Sequence, residues 1–155
     1  MTNKTCVFFM VLIFFSCNKK TIYNDYFVFK NKTWHTDSLV TFEFQNQDTV
    51  SKYQVIIKVR HNVDYEYQNL FFFFYNNTKK DTIELLLADK KGKWLGKGFG
   101  DVREKEIIIN EVEIFNKKEN QKYIFEQAMR YGKEEKIKKL KNIESIGISL
   151  LRYNE

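Results

Sequence analysis

The side chains of this chain that could do chemistry are scattered. Its two histidines, His35 and His61, have neither a cysteine nor an acidic cluster at ligand spacing, so they form neither a metal centre nor part of a triad. Glu66, Glu84, Asp89, Asp101 and Glu126 are the carboxylates that could pair for glycoside hydrolysis, and no spacing among them selects two. Gly96-Lys97-Gly98-Phe99-Gly100-Asp101 has the glycine density of a phosphate loop, but residues 107–109 read as a strand where a helix N-terminus would be needed. The expectation is a protein that is not an enzyme, with no metal and no cofactor.

Aromatic rings and guanidinium groups are what remain. Trp34, Trp94, Tyr65 and Tyr67 fall in segments that read as loops or strand edges. There they either seal the ends of the fold, stack on a sugar ring, or anchor a partner protein. Arg60 and Arg130 sit near strand ends, where a guanidinium fork satisfies a carboxylate or carbonyl more readily than it binds a ligand. With Asn69 and Asp89, these residues give a candidate interaction surface of Tyr65, Tyr67, Asn69, Asp89, Trp94, Arg60 and Arg130.

The elements that must position them read almost entirely as strands. Val40, Phe42 and Phe44 alternate with polar neighbours, and Tyr53, Val55, Ile57 and Val59 share one face of a second strand. Residues 70–75 are apolar throughout, centred on Phe71, Phe72, Phe73 and Phe74, which predicts a strand covered on both faces. Gly92 suits the left-handed position of a hairpin loop over 89–92, and Gly96, Gly98 and Gly100 suggest a bulge or a close backbone approach. Residues 123–130 incline to strand, and Ile146, Ile148 and Leu150 line a last one. The stretch 133–142, with Glu134 to Lys138 and Glu135 to Lys139 at i,i+4, reads as one short surface helix. About eight short strands joined by short turns predict an all-β, antiparallel two-sheet β-sandwich, jelly-roll-like, with a closed barrel as the alternative.

The N-terminus belongs to a different category. Lys4 followed by the apolar run 7–15 reads as an export signal, too short to span a bilayer core, which takes about 20 residues. The break at Phe14-Phe15-Ser16-Cys17 resembles a bacterial lipoprotein signal in which the cysteine becomes the lipidated first residue. The expected organisation is a cleavable signal over 1–16, a lipidated tether over 17–25 and one domain over 26–155. Cys6 would be removed and Cys17 acylated, leaving no thiol for a disulfide. The formal net charge of +6, from 26 Lys and Arg against 20 Asp and Glu, accompanies an abundance of Asn, Ile, Phe and Tyr and reads as general composition rather than as a sign of an acidic partner.

Taken together, Val59-Arg60-His61-Asn62, Tyr65-Glu66-Tyr67-Gln68-Asn69-Leu70, residues 87–98 and Glu126-Gln127-Ala128-Met129-Arg130 resemble the gliding-motility-associated lipoprotein GldH family of the Bacteroidetes. Ile143-Glu144-Ser145-Ile146-Gly147-Ile148 looks like the family's last strand, and the lysine-rich 133–141 looks like an insertion before it. The resemblance implies a non-catalytic accessory of the gliding and type IX secretion machinery, anchored to the membrane by lipid at Cys17, contacting other envelope or motility proteins and not nucleic acid. Asn18, Lys19 and Lys20 carry no acidic patch, which points to the periplasmic face of the outer membrane. The alternative function is a glycan- or peptidoglycan-binding lipoprotein using its exposed aromatics.

Overall fold

Period-two alternation of apolar residues along the chain becomes a set of antiparallel strands in a computed structural model, which describes residues 21–46, 51–115, 120–133 and 136–152. The strands are β1 (Thr21–Val28), β2 (Thr33–His35), β3 (Val40–Gln45), β4 (Ser51–Asn62), β5 (Asn69–Tyr75) and β6 (Lys80–Leu86). They continue with β7 (Lys97–Phe99), β8 (Val102–Phe115), β9 (Asn120–Gln127), β10 (Lys139–Lys141) and β11 (Ile143–Arg152). The larger sheet has the order β1-β11-β4-β8-β7, the smaller β3-β9-β5-β6, and β10 pairs with β2 as a separate ribbon. The expected signal and Cys17 lie outside the described residues.

One hydrophobic cluster joins the sheets. Val55, Ile57 and Val59 of β4 and Ile146, Ile148 and Leu150 of β11 are buried together with Phe42, Phe72, Phe74, Tyr123 and Phe125 of the smaller sheet. Each such phenylalanine contributes about 1.5–3 kcal/mol relative to an exposed one. Across the sheets Phe44 meets Tyr53 edge-on with ring centroids 6.2 Å apart, and Phe44 meets Tyr23 at 5.5 Å.

The structure corrects three expectations. The phenylalanine run is not covered twice: Leu70, Phe72 and Phe74 are buried, while Phe71, Phe73 and Tyr75 are half-buried. Among the described residues, side chains rather than a further layer shield that second face. The Lys80 ammonium lies 4.1 Å from the Phe73 ring centroid, and the Tyr75 hydroxyl donates to Glu126 Oε2 at 2.6 Å.

The second correction concerns the predicted surface helix over 133–142. Among the described residues there is no α-helix, only a short 3-10 turn at Lys30–Lys32. Gln127, itself buried, donates from Nε2 to the Ile137 carbonyl at 2.7 Å, and the Ile137 amide donates to the Met129 carbonyl at 2.9 Å. Those bonds spend the backbone groups a helix would use, and Leu140 is then buried opposite Trp34 in the β2/β10 ribbon.

Trp34 supplies the third. Read as a loop or strand-edge ring that seals the fold, stacks on a sugar or anchors a partner, it lies in β2 and is fully buried, stacked on Phe29 at 5.0 Å with its Nε1 donating to the Ser38 carbonyl at 3.0 Å, which leaves the sealing role. β1 begins at Thr21, so pairing with β11 takes in residues 21–25, which read from sequence as tether.

Candidate functional site

Thr21, where the described chain begins, pairs with Leu151 at one end of the larger sheet, and Val28 pairs with Ser145 toward the other. At that far end β4 leaves the sheet through His61 and Asn62, beside the start of β11 and the start of β8. The loop 62–68 is held by its neighbours. The Asn62 amide donates to the Asn142 carbonyl at 2.9 Å, the Val63 amide to the Asp101 carbonyl at 2.8 Å, and Asn142 Nδ2 to the Asp64 carbonyl at 2.8 Å. Asn62 Oδ1 accepts from the Asp64 amide at 3.0 Å, an Asx turn that reverses the chain.

Reversal brings five rings into a ladder. Trp94 lies 4.7 Å from His61, His61 5.8 Å from Tyr65, Tyr65 5.6 Å from Tyr67, and Tyr67 5.9 Å from Tyr131. His61 and Tyr65 are buried, Trp94 and Tyr67 are half-buried, and Tyr131 is 69 % exposed. The ladder therefore runs from the interior to open surface at the pole away from Thr21.

His61 sits at the inner part of the ladder. Its Nδ1 lies 3.0 Å from the Asn62 carbonyl, which can only accept, so Nδ1 carries the proton and Nε2 the lone pair. Nε2 is buried without a partner. Burial, with Arg103 nearby, lowers the His61 pKa below its ordinary 6.5. Burial likewise raises the Tyr65 hydroxyl, helped by Tyr67 and Glu66, and that hydroxyl donates to the Asn69 carbonyl at 3.0 Å. Rings so tied support the half-buried Trp94 and Tyr67 that lie against them.

The remaining expected site residues go elsewhere. Asn69 donates from Nδ2 to Glu84 Oε1 at 2.7 Å across β5 and β6. Asp89 builds the turn before Trp94: its Oδ1 accepts from the Lys91 amide at 2.8 Å and the Lys93 amide at 2.9 Å, with Gly92 at φ +80°. Arg130 is exposed, next to Tyr131 in the chain.

Arg60 faces away from the core on the larger sheet, donating from Nε to Glu104 Oε2 at 2.6 Å. Its guanidinium lies 4.2 Å from the centroid of Tyr26, whose hydroxyl donates to the same Glu104 oxygen at 3.1 Å. Partial burial opposes the Arg60 charge, but Glu104 outweighs it and the pKa is raised. Burial and Glu104 push Tyr26 up to about 12. Tyr26 lies over Gly147, where a Cβ would come 2.5 Å from its Cδ1.

The phosphate-loop resemblance dissolves into a hairpin. β7 pairs with β8 so closely that a Cβ on Gly96 would meet the Glu104 carbonyl and one on Gly98 the Val102 carbonyl, which is the close approach read from the glycines.

A family profile described as GldH lipoprotein matches residues 21–150. The chain is 36% identical over 148 residues to the "Gliding motility lipoprotein GldH homolog" of Christiangramia forsetii, covering 92% of this chain and 90% of that one. It is 30% identical over 154 residues to "Gliding motility lipoprotein GldH" of Flavobacterium johnsoniae, covering 96% and 95%. The chain belongs to the GldH lipoprotein family. Among solved structures, a Bacillus thuringiensis Cry1Da tryptic core variant superposes with a TM-score of 0.48 at 8% identity, over 81% of this chain and 18% of that one.

In this GldH family member, the segments that carried the resemblance meet largely at the aromatic pole: 59–62, 65–70 and 87–98 contribute His61, Tyr65, Tyr67 and Trp94. Tyr65 is withdrawn behind Tyr67 and cannot itself be a contact residue. Two members of the ladder lie outside the candidate surface that the sequence suggests: His61 reads there as a possible ligand or triad member and as part of the segment 59–62, and the one signal near Tyr131 is Gly132 after it, whose φ of +60° marks a turn.

Proposed function

We propose that this chain is a lipid-anchored, non-catalytic interaction module of the gliding-motility apparatus, working with the type IX secretion machinery. The observation that carries the reading is polar segregation: the rings of the family segments gather at the end of the sheet farthest from Thr21, the end through which the chain runs back toward Cys17. Family membership and the names of the relatives support the gliding role and the lipid anchor. In this reading residues 1–16 are a cleaved signal, Cys17 carries the lipid, and the two sheets form a sandwich on the periplasmic face of the outer membrane. The contact surface is Tyr67, Trp94, Tyr131 and Arg130, with Tyr65, Asn69 and Asp89 holding it from behind. A glycan-stacking role is weaker, because Trp34, one of the two tryptophans such a site would use, is buried.

Site-specific photocrosslinking in gliding cells tests the surface. A crosslinker at Tyr131 should capture a discrete envelope protein, and one at exposed Asp25 should not. Equal capture from both positions, or none from Tyr131, overturns the reading. Cys17→Ser should release the protein into the soluble fraction, since stable anchoring takes several acyl chains.

A further inference from the structure

We propose that the β2/β10 ribbon is a second docking face, one that receives an extended acidic segment of a partner protein. This rests on the interaction-module reading but uses different residues. In the ribbon Leu140 faces Trp34 inward, and both are buried. Period-two alternation then turns Lys139 and Lys141 outward, opposite His35 and Thr33. Lys139, Lys141 and His35 are exposed, as are Lys138 before the ribbon and Lys30 in the preceding turn.

From residue 136 to 142 the sequence has four lysines and no carboxylate. Neighbouring cations find partners, Lys32 with Glu144 at 2.8 Å and Lys136 with Glu126 at 3.7 Å. Among the described residues, Lys138, Lys139, Lys141 and Lys30 make no ion pair. Like charges gathered on one ribbon repel one another, and an anionic partner removes that cost while gaining attraction.

Position and spacing choose the partner. The ribbon follows Val28 and precedes Ile143, at the end of the sheet away from Thr21. The eight residues of β1 set it roughly 26 Å along the strand from Thr21, which favours a partner protein over the headgroups of the anchoring membrane. Lys139 and Lys141 repeat at about 6.6–6.8 Å, the spacing of carboxylates on alternate residues of an extended acidic peptide.

Retention of the full-length protein, extracted in detergent, on immobilised poly-L-glutamate tests this. The wild-type protein should be retained at low salt and released as salt rises. Lys139→Glu/Lys141→Glu should weaken retention about tenfold or more, against less than about twofold for Lys90→Glu/Lys91→Glu, which makes the same charge change on another exposed loop. Equal weakening in the two variants would show net charge alone and overturn the proposal. So would tighter binding to polygalacturonate or to vesicles of anionic lipid than to poly-glutamate. Should the double glutamate variant not fold, Lys139→Gln/Lys141→Gln against Lys90→Gln/Lys91→Gln gives the same charge-matched comparison. The Tyr131 crosslink reports on the aromatic pole independently, so either surface can fail while the other stands.

Discussion

The outward face of the larger sheet and the aromatic pole are built from the same kinds of side chain and end in opposite states. On the sheet face Tyr26, Arg60 and Glu104 close on one another, with Gly147 leaving room for the ring, so each polar tip is used. At the pole the rings run outward, tilted or edge-on to one another, from His61, whose Nε2 has no partner, to Tyr131, whose surface is open. A closed constellation contributes stability through its own contacts. An open one leaves contact area unused, and that is where a partner can add free energy. The contrast separates Arg60 from Tyr67, which sequence grouped as one candidate surface.

The largest predicted effect falls on what both regions stand on. Phe72→Asp places a carboxylate in the shared core and should abolish cooperative folding, whereas Phe73→Asp, on the half-buried face beneath Lys80, should leave a folded domain with a modestly lower melting temperature. Circular dichroism melts of the two variants decide this. Equal loss in both would restore a doubly covered strand.

Gly147→Ala comes next and acts on the closed face alone. Its new Cβ meets the Tyr26 ring and, at 2.9 Å, the Asp25 carbonyl, so β1 or the ring must shift. Overpacking of this sort costs about 1–3 kcal/mol. Thermal denaturation should show that loss while crosslinking from Tyr131 persists. A loss of crosslinking in a folded Gly147→Ala protein would mean the two regions are coupled.

A pH titration probes the inner end of the pole. The His61 pKa is lowered in the folded protein, so below about pH 6.5 the unfolded chain takes up a proton that the folded chain does not. Stability should be indifferent to His61 above that pH and decline as pH falls below it, until the folded-state pKa is reached. His61→Phe should flatten this part of the profile, as read by melting temperature between pH 7 and pH 5. An unchanged slope in the variant would remove His61 as its source.

What sequence could and could not show divides along the same line between local and long-range causes. Tyr53, Val55, Ile57 and Val59 announce their buried face because alternation is local, and Gly92 announces its turn because a left-handed φ is local. Tyr65, Tyr67 and Trp94 were legible as candidates, but not as a ladder, because His61 and Tyr131 join it only through the fold. The stretch 133–142 looks helical by charge pairing, and its described part becomes a ribbon because Gln127 captures Ile137 and Trp34 faces Leu140 across the chain. The phenylalanine run shows that both faces of β5 are apolar. It cannot show that lysine and tyrosine side chains cover the second face instead of another sheet.

The smallest stability change carries the sharpest functional contrast. Tyr131 is largely exposed and touches the ladder only through Tyr67, so Tyr131→Ala should alter stability by no more than about 0.5 kcal/mol. Arg60→Ala, which breaks a partly exposed pair with Glu104 and uncovers Tyr26, should cost about 1 kcal/mol. Partner capture should reverse the order, falling several-fold for Tyr131→Ala and holding for Arg60→Ala, because an exposed aromatic with little role in its own fold has its contact area still to use. Capture read from a crosslinker at Tyr67 measures both variants on one scale. If Arg60→Ala loses the partner and Tyr131→Ala keeps it, the working surface is the closed face and the ladder is packing.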